Sequence, residues 1–253
     1  MSLETKYQVE QAKWDALAVQ QLPASSILLP EACFHDYARR SATLIGVADF
    51  LGDLHGKQVL EYGCGLGEVS ALLARSGAQV TAFDLSPASV RVARKRAMLN
   101  DLEARVRLTV SAGENLPYAD ESFDVIFGKA ILHHLDVRHG WADLYRVLRT
   151  GGKAVFAEPM GMNPVLNFVR ASVPYVQKNP RGADRPLNYD EIHAWGKPFR
   201  VFHYHEIQLL SMLERGLGFG KPLVLLRRVD SVLLKRMPFL RRYCRYVVMF
   251  MEK

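Results

Sequence analysis

The sequence predicts an α/β fold: a doubly wound, mostly parallel sheet with helices on both faces, carrying a helical or irregular cap. Three observations predict it. Short apolar runs alternate with helix-period segments from residue 57 to 158, and a glycine-rich turn joins the first run to the first of these helices. After Pro159, proline punctuation replaces regular periodicity.

Before the first strand, Phe34, Tyr37, Ala38, Leu44, Ile45 and Ala48 recur at helical spacing, which predicts one or two helices between Glu31 and Asp53. Lys57 to Tyr62 reads as the first strand. Glu68 to Ser76 places Val69, Leu72 and Leu73 on one helical face before Gly77 stops it, and Gln79 to Phe83 is the second strand. Ser86 offers an N-cap oxygen and Pro87 the first helical position, opening a helix to about Leu99. Val106, Leu108 and Val110 alternate as a third strand, and Phe123 to Phe127 is a continuous apolar run suited to a strand covered on both faces. Trp141, Leu144, Tyr145 and Leu148 mark the next helix, which Gly151-Gly152 is expected to break before a fifth strand from Lys153 to Glu158. Pro164, Pro174, Pro180, Pro186 and Pro198 then punctuate the cap. Arg200 to Tyr204 is expected to return as a strand, and Tyr243 to Met251 to add a final edge strand.

With 253 residues, 49% hydrophobic and 23% charged, the chain suits a single domain over 1–253, divided into N-terminal helices (1–56), a ligand-binding core (57–158), a substrate cap (159–240) and a final strand (241–253). Met1 to Gln20 mixes Lys6, Glu10, Lys13 and Asp15 with apolar residues, unlike a secretory signal. No stretch approaches the roughly 20 apolar residues of a spanning helix. The expectation is a soluble cytoplasmic protein, monomeric or homodimeric. Cys33, Cys64 and Cys244 are widely spaced and form no CxxC pair, which argues against a disulfide framework or a structural zinc site. The formal charge of +7 favours anionic surfaces or substrates without identifying one.

Glycines 63, 65 and 67 follow a strand and precede a helix, removing side chains where a ligand approaches the backbone. A dinucleotide fingerprint GxGxxG needs glycine at position 68, which here is Glu68. Glu61 and Glu68 would repel a pyrophosphate, whereas a cationic sulfonium ligand carrying an ammonium group meets no such penalty. Asp84 ends the second strand 17 residues after Gly67, where a carboxylate accepts hydrogen bonds from two ribose hydroxyls.

The run VLEYGCGLGEVSALLARSGAQVTAFDLSPASV resembles the first two motifs of class I, Rossmann-like S-adenosylmethionine-dependent methyltransferases. SAGENLPYADESFDVIFGKAILHHL and LYRVLRTGGKAVFAEP resemble that family's third-to-fifth-strand region, particularly members acting on small molecules and quinones. The resemblance covers about residues 57 to 158. It implies S-adenosylmethionine as methyl donor, S-adenosylhomocysteine as product, and a small-molecule or lipid-like acceptor. Carried over by position, it implies that Glu61, Gly63 and Gly65 line the methionine end, Asp84 holds the ribose and Leu85 flanks the adenine. Lys129 would touch the donor through its backbone. Where the family has an acidic or polar residue for the adenine amino group, this chain has Ala112, followed by Gly113 and Glu114. Either the backbone of Ala112 and Gly113 takes over, or Glu114 swings in.

Methyl transfer from a sulfonium is an in-line displacement accelerated mainly by alignment, and a base is needed only where the acceptor must lose a proton. His133 and His134, after the fourth strand, are the candidate bases, His134 preferred, with packing or donor-lining as the alternative role. His203 and His205 would share one face of a strand beside Tyr204 and Glu206. Two such ligands make a weak metal site, and a substrate-pocket wall or a solvated loop are the alternatives.

The basic carboxyl-terminal stretch VDSVLLKRMPFLRRYCRYVVMF reads first as solvated surface around a strand, and second as an amphipathic element making peripheral membrane contact. Nucleic-acid binding is not expected, because no recognised module accompanies the charge. An RNA or protein methyltransferase, and a non-catalytic S-adenosylmethionine-binding protein, are the competing functions.

Overall fold

Five apolar runs at the centre of the chain pair in parallel, and the remaining elements take their places around them. The computed structural model describes residues 3–20, 32–172, 185–216 and 224–253. Helices α1 (Leu3–Gln20), α2 (Phe34–Arg40) and α3 (Val47–Leu51) precede β1 (Gln58–Tyr62). Then come α4 (Glu68–Arg75), β2 (Gln79–Asp84), α5 (Pro87–Leu99), β3 (Val106–Val110), β4 (Phe123–Lys129), α6 (Val137–Val147) and β5 (Leu148–Pro159). The cap supplies α7 (Pro164–Ser172), α8 (Tyr189–Gly196), β6 (Val201–Ile207), α9 (Leu213–Gly216) and α10 (Val224–Arg236), before β7 (Tyr246–Glu252).

One seven-stranded sheet runs β3-β2-β1-β4-β5-β7-β6, with only β7 antiparallel to its neighbours. The strand order reverses between β1 and β4, and ligands of such sheets bind outside the carboxyl ends of the strands at that reversal. Two apolar layers cover the sheet. One gathers Phe34, Leu73, Phe127 and Phe250, the other Tyr62, Phe83, Phe156 and Trp195. Each large side chain buried there contributes about 1.5–3 kcal/mol. α5 starts as its sequence implies, with the Ser86 hydroxyl accepting the Ser89 N–H at 2.9 Å and Pro87 in the first turn.

The region expected to form one or two helices before β1 forms two short ones. Several expectations are corrected. Ile45, assigned to the apolar face, lies between these helices and is half exposed. The sixth helix ends at Val147, not Leu148. Gly151-Gly152 lies inside β5, where Gly151 takes φ +76° and the two glycines exchange backbone hydrogen bonds with Lys253. They kink a strand rather than end a helix.

β7 is not the edge strand. Val247 to Met251 are all buried, so the strand is covered on both faces and paired on both sides. The more polar β6 takes the edge and continues past Tyr204 to Ile207. β7 also starts later than residue 241, because Pro238–Tyr243 form a 3-10 turn. Outside β6 the described part of the cap is α7, α8, α9 and α10 with short irregular links, while Glu31, Pro174 and Pro180 lie outside the described residues. Among the described residues no helix is long and apolar enough to cross a membrane.

α1 was not readable as a helix from its apolar pattern. It docks by polar contacts: Asp15 accepts the Ser86 hydroxyl at 2.5 Å and the Ala88 N–H at 2.9 Å, at the start of α5. Among the described residues of α1, Ala18 alone joins an apolar cluster there, with Ala88 and Val92.

Candidate active site

The loop between β1 and α4 is held open by its own backbone. A Cβ on Gly67 would lie 2.6 Å from the Cβ of Ala93 and 2.8 Å from its Cα, so the third glycine lets α4 and α5 approach. A Cβ on Gly65 would meet nothing within 4 Å, and the residue takes φ +50°. The middle glycine therefore keeps a cavity clear. Asp84 fixes this loop from the neighbouring strand: one carboxylate oxygen accepts the Gly65 N–H at 2.8 Å, the other the Ser86 N–H at 2.9 Å. Burial raises the Asp84 pKa from its ordinary value, opposed by these two hydrogen bonds.

Two cavities meet at Gly63, Gly65 and Lys129. The larger, about 550 Å³, is lined by Tyr37, Glu61, Glu68 and Arg96. Glu61 is buried and accepts the Ser70 hydroxyl, and desolvation pushes its pKa up to about 8 despite that bond. Arg96 donates to the Leu66 carbonyl at 2.7 Å, and the Lys129 ammonium donates to the Tyr37 hydroxyl at 3.0 Å.

The smaller cavity, about 200 Å³, is lined by Asp84, Leu85, Ala112, Gly113, Glu114 and His134, and by Tyr7, Glu10 and Trp14 from α1. The Tyr62 hydroxyl donates to the Gly113 carbonyl, and a Cβ on Gly113 would strike the Tyr62 ring at 2.8 Å, so the 112–114 turn is pinned to β1. Glu114 receives the Asp136 N–H at 3.4 Å on one oxygen. Its other oxygen is buried, and among the described residues no group within hydrogen-bonding geometry satisfies it. Beside it, the Tyr7 hydroxyl has its pKa raised by burial first and by the Glu114 carboxylate second.

The comparisons with known proteins converge on this core. Residues 60–156 match the family described as "Methyltransferase domain". A methyltransferase named GfsG from Streptomyces halstedii is 39% identical over 41% of this chain and 38% of its own length. A demethylmenaquinone methyltransferase from Chlorobaculum parvum is 34% identical over 43% of this chain and 44% of its own. The chain thus spans about two fifths of the length of these curated relatives. Among solved structures, a geranyl diphosphate C-methyltransferase from Streptomyces coelicolor shares the fold with a TM-score of 0.66 at 15% identity, covering 98% of this chain and 97% of that one. Residues 60–156 are thus similar in sequence to methyltransferase domains, and the sheet that carries them has the fold of a structure solved with S-adenosyl-L-homocysteine.

At this site the two candidate histidines take different positions. His133 is turned to Glu158, its Nδ1 2.7 Å from the carboxylate, and is not among the residues lining either cavity. Glu158, fully buried at the end of β5, also accepts the N–H groups of Ile131 and Leu132 at 2.9 and 3.0 Å. His133 and Glu158 together clamp the turn after β4. His134 lines the smaller cavity, its Nδ1 3.1 Å from Glu10, with Trp14 edge-on to its ring at 6.1 Å.

His203 and His205 do share a face, and both are exposed on it. The His203 ring stacks on Phe250 at 4.9 Å and meets Phe50 edge-on. His205 lines a separate cavity at the end of β6. The motif-based reading did not find Tyr7, Glu10, Trp14, Tyr37 or Arg96. A signal existed for the first three: they fall at i, i+3 and i+7 on one helical face, a polar and aromatic stripe that a search for apolar stripes passes over.

Proposed function

We propose that this protein binds S-adenosylmethionine in the joined cavities and transfers its methyl group to a small-molecule or lipid-like acceptor. The observation that carries the reading is the lining of the joined cavities. Buried Glu61 lines the larger, open Gly65 lies where the two meet, and Asp84 and Glu114 line the smaller, groups complementary to an ammonium, a close backbone approach, a ribose and an adenine amino group. A dinucleotide would bring a pyrophosphate to Glu61 and Glu68.

Bound there, S-adenosylmethionine supplies an electrophilic methyl group on a sulfonium. The chain's own residues hold and align. Glu61 takes the methionine ammonium, and Asp84 accepts ribose hydroxyls on lone pairs beyond those given to Gly65 and Ser86. Leu85, Ala112 and Gly113 flank the adenine, and Glu114 accepts from its amino group. Lys129, at the junction, offers its backbone while Tyr37 tethers its ammonium. His134, with Nδ1 turned to Glu10, keeps Nε2 as its proton-accepting nitrogen and closes the ribose side. It serves as base only for an acceptor that reaches that side. His133 positions the turn.

The acceptor class rests on relatives: one is named for demethylmenaquinone, and a structure of the same fold for geranyl diphosphate. Incubation with methyl-labelled donor and a panel of prenylated quinols, isoprenyl diphosphates, RNA and protein tests it. Label is expected in a quinol or isoprenoid product. Label confined to RNA or protein, or found nowhere, contradicts the reading.

A further inference from the structure

Helix α7 carries an apolar face that no described residue covers. Val165, Phe168 and Val169 fall at i, i+3 and i+4, Phe168 is 71% exposed, and no residue of the helix is buried. An apolar stripe left in water marks a contact surface. More of the same lies nearby: Leu225 and Val232 on α10, and Phe239 in the 238–243 turn, are each more than half exposed.

The topology brings these elements to one edge. α7 follows β5, and the 238–243 turn leads into β7, whose Tyr246 pairs with Pro159 at the end of β5. Asn163 donates to the Tyr243 carbonyl at 2.6 Å, joining the start of α7 to that turn, and α10 packs against the turn. This is the carboxyl edge of the parallel strands, the edge that holds the glycine loop and Lys129.

Charge identifies what covers the surface. From Leu225 to Arg245 the only acidic residue is Asp230, which is buried and accepts the N–H groups of Leu209, Leu210 and Ser211. Arg228, Lys235, Arg236, Arg241 and Arg242 are exposed among the apolar side chains. On α10 the sequence Leu225, Arg228, Val232, Lys235 runs along one face at i, i+3, i+7 and i+10. Long cationic side chains interleaved with exposed apolar ones, with no accessible acid, fit a surface that is oily below and anionic above. A second copy of this chain would set cations against cations.

We propose that α7, α10 and the 238–243 turn form a docking surface for an anionic lipid bilayer, which sets the carboxyl edge of the parallel strands against the membrane. A cavity of about 320 Å³ at the end of β6, with Ala42, Ile45 and Leu234 beside Lys235 and Arg241, lies at the same edge and suits the entry of an amphiphile. The surface stands on its own exposed residues and deepens the lipid-like acceptor reading above, on which its biological use rests.

Co-sedimentation of the full chain with vesicles of mixed phosphatidylcholine and phosphatidylglycerol, against phosphatidylcholine alone, tests the proposal. Binding to the anionic vesicles should be at least ~10-fold tighter and should weaken with salt. The exposed double variant Phe168→Ser/Phe239→Ser should lose ~10-fold or more, and Arg236→Glu/Arg242→Glu should remove the preference for anionic lipid. Both variants should retain wild-type circular dichroism and donor affinity. Wild-type protein that ignores both vesicles, or variants that bind as well as wild type, would overturn it. So would a wild-type dimer that light scattering shows becoming monomeric in the apolar variant, which would assign the face to a second copy. Donor binding is read separately, so loss of the methyl-donor reading and loss of this one are distinguishable.

Discussion

On one side of the donor cleft the surface is backbone and short acidic side chains at the carboxyl ends of β1 and β2; on the other it is Tyr7, Glu10 and Trp14, projecting from a helix that docks on the start of α5. The first wall is fixed by hydrogen bonds within the sheet edge, Asp84 to Gly65 and Ser86, and Cys64 N–H to the Phe83 carbonyl at 2.9 Å. The second is held by tertiary contacts of long side chains, such as the Lys6 ammonium donating to the His134 carbonyl. The contrast teaches a division of labour. On the proposed function the sheet edge selects the ligand, and α1 walls the cavity on its other side.

Substitutions on the two walls should therefore differ in kind. Gly65→Val should have the largest effect: its Cβ enters the cavity and meets no protein atom within 4 Å, so donor Kd should rise at least ~100-fold, the scale of a lost close approach. The strain of a left-handed residue, about 1–2 kcal/mol, should lower Tm by only a few degrees. Gly67→Val is the control, because its clash with the Ala93 backbone falls on the helix packing and should destabilise the fold itself. Calorimetric titration and thermal melts separate the two. Trp14→Ala, on the α1 wall, should raise donor Kd about 10-fold with little change in Tm. An effect as large as that of Gly65→Val would break the division.

The same contrast explains what the sequence disclosed. β1, β4 and β5 were legible because most of their residues are buried on both faces, so composition alone marks them, β3 because its apolar residues alternate, and the stretch between them because Ser86-Pro87 and the glycine loop are local signals. Asp84 and Glu61 were legible because they sit at fixed offsets from that loop. α1 was expected only as part of the helices over 1–56, and its bounds and inward face were not legible, because that face is polar where it lines the smaller cavity, and amphipathic periodicity reports only burial of apolar residues. Gly151-Gly152 misled because glycine marks a strand irregularity as readily as a helix end, and only the Lys253 contacts distinguish them. β7 was placed at the edge because pairing partners of a last strand are not encoded in its own residues.

Glu61 supplies the sharpest test. Its pKa is higher in the folded protein, about 8, than its ordinary 4.5, so between those values the ligand-free fold holds a proton that the unfolded chain has released. Its contribution to stability is present below about 4.5 and is lost as the pH rises through 8. A bound ammonium reverses the preference and expels the proton. Calorimetric titration of the protein with S-adenosylmethionine at pH 7, in buffers of different ionisation enthalpy, measures this directly. The account predicts binding of the donor and of S-adenosylhomocysteine, with release of close to one proton that disappears in Glu61→Gln, and no comparable affinity for NAD. Preference for NAD, or no binding of the donor at all, would contradict it.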